Sequence, residues 1–214
     1  MRHILNVLAL VVVISFSFVL SGCSGVLSDQ HKEAENEVSR ANDEIAKHNQ
    51  LFDQARESYG SAREKIEAGE DPDKQKDKIT EARETLQKAR GSLQSASTGM
   101  QNMRELDVDP VIKKYGGLLS KAMGAQLSSE AREIEFYGIM EKDPALKENR
   151  DRALKILSQA GDDHKQAEKY YADASELAKS NPKIIDLPPD ADGENQGSAP
   201  NAPEGQQNGD DSGG

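Results

Sequence analysis

A seam of apolar or small side chains, spaced alternately four and three residues apart, runs without a slip from residue 27 to residue 66. Its two missing steps fall on His31 and His48, and its members are Leu27, Ala34, Val38, Ala41, Ile45, Phe52, Ala55, Tyr59, Ala62 and Ile66. A period of 3.5 residues keeps such a seam on one face of an α-helix that packs against another helix as in a coiled coil. The chain is therefore predicted to be all-α.

Three Asp-Pro pairs predict where the later helices begin. Each pair places an N-cap acceptor before a proline suited to the first helical position. The pairs are Asp71-Pro72, Asp109-Pro110 and Asp143-Pro144. Gly69 is placed to end the first helix in a left-handed conformation, and Asn181-Pro182 closes the last helix. The predicted helices span about 28–68, 72–106, 110–142 and 144–180.

The four segments have similar lengths and short connections, which favours antiparallel neighbours. We therefore expect one folded region, residues 28–182, in the form of an elongated up-down-up-down bundle with coiled-coil-like seams. Apolar residues make up only 35% of the chain and Trp is absent, so its core must rely on small and aliphatic side chains. Such a composition suits closely packed helices better than a sandwich or a doubly wound sheet.

The C-terminal segment has a different composition, rich in Pro, Gly, Asn, Gln and acidic residues. It has too few apolar side chains to offset the entropy cost of ordering, so residues 183–214 are predicted to form a disordered acidic tail. From Asp186 onward the chain has acidic residues and no Lys or Arg. We find no basic stripe of the kind that nucleic-acid binding requires, which argues against that class of partner.

The N-terminus has the pattern of an export signal. Met1-Arg2-His3 is weakly positive, and the run from Ile4 to Leu20 is almost wholly apolar. This run is marginal for a membrane span, which needs about 20 residues, and it fits the core of a signal peptide. An uncleaved anchor and a plain secretory signal are the alternative interpretations.

The residues that follow the apolar run, Leu20-Ser21-Gly22-Cys23, resemble the lipobox of bacterial prolipoproteins. The resemblance implies that the signal peptide, residues 1–22, is removed and that the Cys23 sulfur carries a diacylglycerol. It also implies that the new amine can receive a further acyl chain such as palmitate. Residues 23–27 would then form the lipid attachment and a short tether. The expected location is the cell membrane or the outer membrane, facing outside the cytoplasm.

Cys23 is the only cysteine, so an intrachain disulfide framework is excluded. Lipid attachment gives this single thiol a role, and Cys23 is the one site residue that the sequence predicts. Ser24 follows it, so the Asp that retains some lipoproteins in the inner membrane is absent from this position. The choice between the inner and the outer membrane stays open.

Histidines and carboxylates within the helices raise the question of a metal site. Glu44 and His48 are four residues apart, as are His164 and Glu168, so each pair shares a helix face. Two-metal sites in four-helix bundles use Glu-x-x-His motifs, and none occurs in this chain. We therefore expect no metal, cofactor or catalytic residue, and we interpret the histidines as polar layers that set register or as partly solvated side chains.

The third predicted helix carries an unusual number of glycines, namely Gly116, Gly117, Gly124 and Gly138. Each glycine costs about 1 kcal/mol relative to alanine inside a helix. Close approach of a neighbouring helix explains them, and so does a hinge or an adhesive surface. Gly161-Asp162-Asp163 is a similar candidate for a break in the fourth helix.

The sequence thus predicts a non-catalytic structural or interaction module that is held at a membrane by lipid. Its partner would be an envelope protein or the cell wall. The alternatives are an accessory subunit of an envelope transport or secretion complex, a cell-wall-binding lipoprotein and, more remotely, a metal-binding helical bundle. A core rich in alanine also leaves open whether two chains share a seam in a homo-oligomer.

Overall fold

The computed structural model describes residues 25–185, which form an all-α bundle of four long helices. These are α1 (Gly25–Glu67), α2 (Lys76–Glu105), α3 (Pro110–Lys142) and α4 (Arg150–Lys179), with a short 3-10 helix at Pro72–Gln75. The described part of the chain contains no strand, so the predicted fold class is confirmed. With 43 residues at about 1.5 Å each, α1 is about 64 Å long.

Contacts between helix ends show that successive helices run antiparallel. Gly99, late in α2, packs against Glu37 and Ala41, which lie early in α1. The Arg83 guanidinium, early in α2, lies 3.0 Å from a carboxylate oxygen of Glu141 at the end of α3. Residues of α3 and α4 approach in the same antiparallel sense. The helices therefore follow the predicted up-down-up-down order.

Small side chains bring sequential helices close together. Alanines are buried throughout the α1 and α2 seams and along α4, which allows the backbones of α1 and α2, α2 and α3, and α3 and α4 to approach within 8 Å between α-carbons. Among the described residues, no α-carbon of α1 comes this close to α4. The fourth side of the bundle is therefore held by longer side chains.

The first two connections largely follow the sequence-based prediction. Gly69 adopts φ +89° and its N–H donates to the Ile66 carbonyl, which ends α1 as expected. The Asp109 carboxylate accepts a hydrogen bond of 2.7 Å from the Val111 N–H, with Pro110 at the first position of α3. Asp71 caps in the same way, but it caps the 3-10 turn, so α2 begins at Lys76.

The predicted start of the fourth helix at residue 144 is wrong, because α4 begins at Arg150. Asp143 ends α3, and its carboxylate accepts hydrogen bonds of 2.8–2.9 Å from the backbone N–H groups of Lys147, Glu148 and Asn149. These bonds, with the one from Glu148 foremost, lower the pKa of Asp143 to about 2. The acceptor was correctly identified, but it organises a loop and does not cap the helix directly. The expected break at Gly161 is also absent, because α4 is continuous.

The end of the described chain folds back onto the bundle. After α4, Asn181 donates to the Leu177 carbonyl and Ile185 is only 1% exposed, packed in the same apolar cluster as Val108 and Ile112. The predicted boundary of the tail at residue 183 is therefore too early. Residues 186–214 lie outside the described residues, as do residues 1–24.

The bundle has two distinct ends. We call the end that holds the start of α1, the 106–109 connection and residues 180–185 the terminal end. The opposite end, formed by the 68–75 and 143–149 connections, is the hairpin end. Both the first and the last described residues thus lie at the terminal end.

The glycines of α3 have different environments. A Cβ added at Gly116 would lie 2.3 Å from Met103 Cε and 3.2 Å from the Met100 carbonyl oxygen, so this glycine permits close approach of α2. At Gly124 the corresponding position has no side chain and no atom of another described helix within 4 Å, its immediate chain neighbours apart. Close packing therefore explains Gly116 and does not explain Gly124.

Alanine substitutions at these two glycines are expected to have opposite effects. Gly116→Ala forces the Met103 methyl group to move within a packed core and places a Cβ close to the Met100 carbonyl, so it should lower the free energy of unfolding by about 1–3 kcal/mol. Gly124→Ala gains helix propensity in open space and should raise it by up to about 1 kcal/mol. Urea denaturation of the full-length chain, followed by far-UV circular dichroism, measures both. Stabilisation by Gly116→Ala would show that α2 and α3 are not in close contact there.

Candidate functional site

The site that the sequence predicts, Cys23, lies outside the described residues. Its lipid attachment therefore stays a prediction. The first described residue, Gly25, is already helical and lies only two positions after Cys23. Within the described part of the chain, the most unusual feature is a group of buried ionisable side chains halfway along the bundle.

This group, the polar layer, consists of His48, Glu130, Glu133 and His164. Their exposed fractions are 1%, 1%, 6% and 5%. On α1, α3 and α4, the three helices that supply it, the layer lies between two apolar clusters. The first reaches the terminal end and includes Ile45 and Leu127, and the second lies toward the hairpin end and includes Phe52 and Phe136. Buried ionisable groups are rare unless they are paired, so this layer requires an explanation.

His48 and Glu130 form a buried ion pair between α1 and α3. The imidazole Nε2 lies 2.7 Å from Glu130 Oε1, and Nδ1 lies 3.0 Å from Asn49 Oδ1. Burial lowers the pKa of His48, but the hydrogen bond and the charge of Glu130 outweigh burial, and the net pKa is raised. The pair therefore favours the doubly protonated imidazolium.

The pair is extended to α4 by neutral side chains. Gln126 Nε2 donates to Glu130 Oε1 at 3.1 Å, and the Tyr171 hydroxyl donates to Gln126 Oε1 at 2.9 Å. A single hydrogen-bonded chain thus connects α1, α3 and α4. It provides a polar link between the two helices whose backbones do not approach each other.

Glu133 lacks a partner for one of its oxygens. Oε1 has no hydrogen bond among the described residues, although the side chain is almost fully buried. Burial raises the pKa of Glu133 to about 7, the nearby charge of Glu130 adds to this effect, and Arg56 opposes it. Glu133 is therefore poised between its neutral and charged forms near neutral pH.

His164 is also incompletely satisfied. Its Nε2 lies 3.3 Å from Glu168 Oε1, but the geometry is not that of a hydrogen bond, and neither ring nitrogen has a hydrogen-bond partner among the described residues. Burial lowers the pKa of His164, and the charge of Glu168 opposes this. His164 thus lies close to Glu168, with which it shares a helix face as the sequence indicates, whereas His48 is hydrogen-bonded to Glu130.

Polar contacts also fix α3 against α4 near the layer. The Ser129 hydroxyl donates to the Ala160 carbonyl at 3.0 Å. The Arg132 guanidinium contacts Asp163 at 2.5 Å and Gln159 at 3.1 Å. These bonds specify which residues of α3 face which residues of α4, which is the role expected of a register-setting layer.

The sequence placed His48 on the α1 seam and His164 on a helix face shared with Glu168, and it did not single out Glu130 or Glu133. The sequence held a partial signal, because Ser129 and Phe136 of the third predicted helix are seven residues apart and the step between them can fall on residue 132 or on Glu133. Within residues 25–185, no three His, Cys, Asp or Glu side chains are arranged to hold a metal ion. The side chains of the layer can form hydrogen bonds and exchange protons.

None of the helices in the described range is long and apolar enough to cross a membrane. No protein-family model, curated protein or solved structure matches the chain.

Proposed function

We propose that the chain is a bacterial lipoprotein, attached by lipid on Cys23 to the outer face of a membrane, that acts as a non-catalytic structural or interaction module. The observation that carries the proposal is the sequence Leu20-Ser21-Gly22-Cys23 directly after an apolar run. One acyl chain binds a membrane only marginally, whereas two or three chains on one cysteine bind it firmly. The proposed anchor therefore needs no transmembrane helix.

The position of α1 supports a short connection between lipid and bundle. Because α1 begins two residues after Cys23, the terminal end would lie close to the membrane surface. The hairpin end would then lie up to about 60 Å away, given a rise of about 1.5 Å per residue in α1. A lipoprotein of this form presents its two hairpin connections to a partner at a distance from the membrane.

The character of the polar layer supports a role without turnover. Its four side chains are at least 94% buried, as their exposed fractions of 1–6% show, so a substrate has no direct access to them. The His48–Glu130 hydrogen bond joins α1 to α3, and Gln126 and Tyr171 extend it to α4, which stabilises one arrangement of the bundle. Interaction through the surface is therefore the function that this fold supports best.

Crosslinking in intact cells tests the interaction role. A photoreactive amino acid at Lys74 or Lys147, both exposed at the hairpin end, is expected to yield a discrete crosslinked product. The same substitution at the exposed Lys169, in the other half of the bundle, serves as the control and should not yield that product. Absence of products from both hairpin positions, or identical products from all three, would contradict a partner at this end.

A further inference from the structure

The polar layer brings together two carboxylates and two imidazoles in the interior of the bundle. Only one carboxylate, Glu130, is hydrogen-bonded to an imidazole, while Glu133 Oε1 and both nitrogens of His164 lack hydrogen-bond partners among the described residues. A second negative charge beside Glu130 would be costly in this environment, because buried charges require compensation. The arrangement is most favourable when Glu133 carries a proton.

We infer that the polar layer is a proton-dependent clamp, which holds the helices together when Glu133 is protonated and loosens when Glu133 loses its proton. This inference rests on the bundle interior alone and is independent of lipid attachment. It gives a role to the buried carboxylate of Glu133. The His48–Glu130 pair does not need this carboxylate in order to set the register of the helices.

Charged groups from three helices surround the clamp. Helix α1 supplies His48, Asp53 and Arg56, and α4 supplies His164 and Glu168. Helix α3 supplies Glu130 and the buried Tyr137, whose pKa is raised by burial and by the charge of Glu133. The fully buried residues of α2 are uncharged, and its half-buried Arg90 has a buried Nε without a hydrogen-bond partner among the described residues. Arg56 favours the ionised form of Glu133, but burial and Glu130 together outweigh it. The surroundings of Glu133 therefore favour its protonated form.

The sign of the pH dependence follows from the direction of each shift. The pKa of Glu133 rises from 4.5 to about 7 on folding, so its contribution to stability is fully present below pH 4.5 and is lost as pH rises through 7. The raised pKa of His48 also lowers the stability of the fold as pH rises above 6.5. The lowered pKa of His164 acts in the opposite direction, because its stabilising effect is lost as pH falls below 6.5.

Comparison with a variant isolates the contribution of Glu133 from those of the histidines. Glu133→Gln keeps the size of the side chain and removes its titration, and Glu81→Gln at an exposed position is the matched control. Urea unfolding of the full-length chain in detergent is measured at pH 5.5 and pH 8. Between these values, the wild-type unfolding constant should rise about 10- to 30-fold relative to that of Glu133→Gln, whereas Glu81→Gln should follow the wild type.

The proposed clamp is overturned if the unfolding constant of the wild type, divided by that of Glu133→Gln, changes less than twofold between pH 5.5 and pH 8. A second variant, Glu133→Leu, removes the same proton without any polar atom and should also lack the pH-dependent component. The clamp requires that an uncharged side chain at position 133 supports the folded bundle. If neither variant folds at pH 5.5, where the wild type is folded, the inference is likewise overturned.

Discussion

Substitution of His48 by leucine is expected to lower the free energy of unfolding by about 3–5 kcal/mol, because it leaves a buried carboxylate without its cationic partner. Glu130 is 1% exposed, and the other donor to its Oε1 is the neutral amide of Gln126. Because the Glu130 carboxylate is buried, water cannot reach it unless the bundle opens. The cost therefore reflects the unpaired carboxylate more than the loss of the imidazole itself.

The double variant His48→Leu/Glu130→Leu tests this explanation. Replacement of a whole buried ion pair by apolar side chains is often neutral or stabilising, so the double variant should recover most of the stability lost in the single variant. His31→Leu, at a half-buried seam position of the same helix, is the control and should change the free energy by less than about 1 kcal/mol. Urea denaturation gives all three values. Equal losses in the single and double variants would show that His48 acts through packing alone.

Substitution of Cys23 by serine is expected to abolish lipid attachment completely. Serine has no thiol to accept the diacylglycerol, and the resemblance to the lipobox implies that processing before position 23 depends on this group. Cells grown with an alkyne-bearing fatty acid should therefore label the wild-type chain and leave Cys23→Ser unlabelled. The unlabelled variant should also retain residues 1–22 and migrate as the larger precursor.

The neighbouring position supplies a matched control for the labelling experiment. Ser24→Ala alters the residue after the cysteine and leaves the thiol intact, so this variant should label as the wild type does. Persistent labelling of Cys23→Ser would place the lipid elsewhere or show that the signal is incidental to Cys23. Both positions lie outside the described helices, so a difference between the two variants reports on the anchor.

Hydrophobic periodicity was sufficient to predict the helices because each seam residue must be buried for a long thin bundle to hold together. Every member of the α1 seam from Ala34 to Ala62 is buried, including His48 at a missing step. Short connections between helices of similar length then left few alternatives to antiparallel order. The glycine at position 69 ended its helix as expected, since its positive φ is costly for other residues.

Other features depended on tertiary contacts that a one-dimensional pattern does not contain. The sequence Asp143-Pro144 is typical of a helix start. In the structure, the Asp143 carboxylate accepts hydrogen bonds from three backbone N–H groups further along the chain and closes a loop. Ile185 lies within the tail that the composition predicts, but in the structure it packs in the apolar cluster at the terminal end. The partner of His48 lies 82 residues away, so its pairing could not be read from the helix face that it shares with Glu44.

The measurement that tests the proposed anchor most directly is the intact mass of the protein extracted from its own membranes. We expect a chain that begins at Cys23 and carries a diacylglycerol, with or without an additional acyl group on its amine. Digestion should place the whole mass increment on the N-terminal peptide. A chain with a free Cys23 thiol, cleaved elsewhere or still bearing residues 1–22, would contradict the lipoprotein assignment.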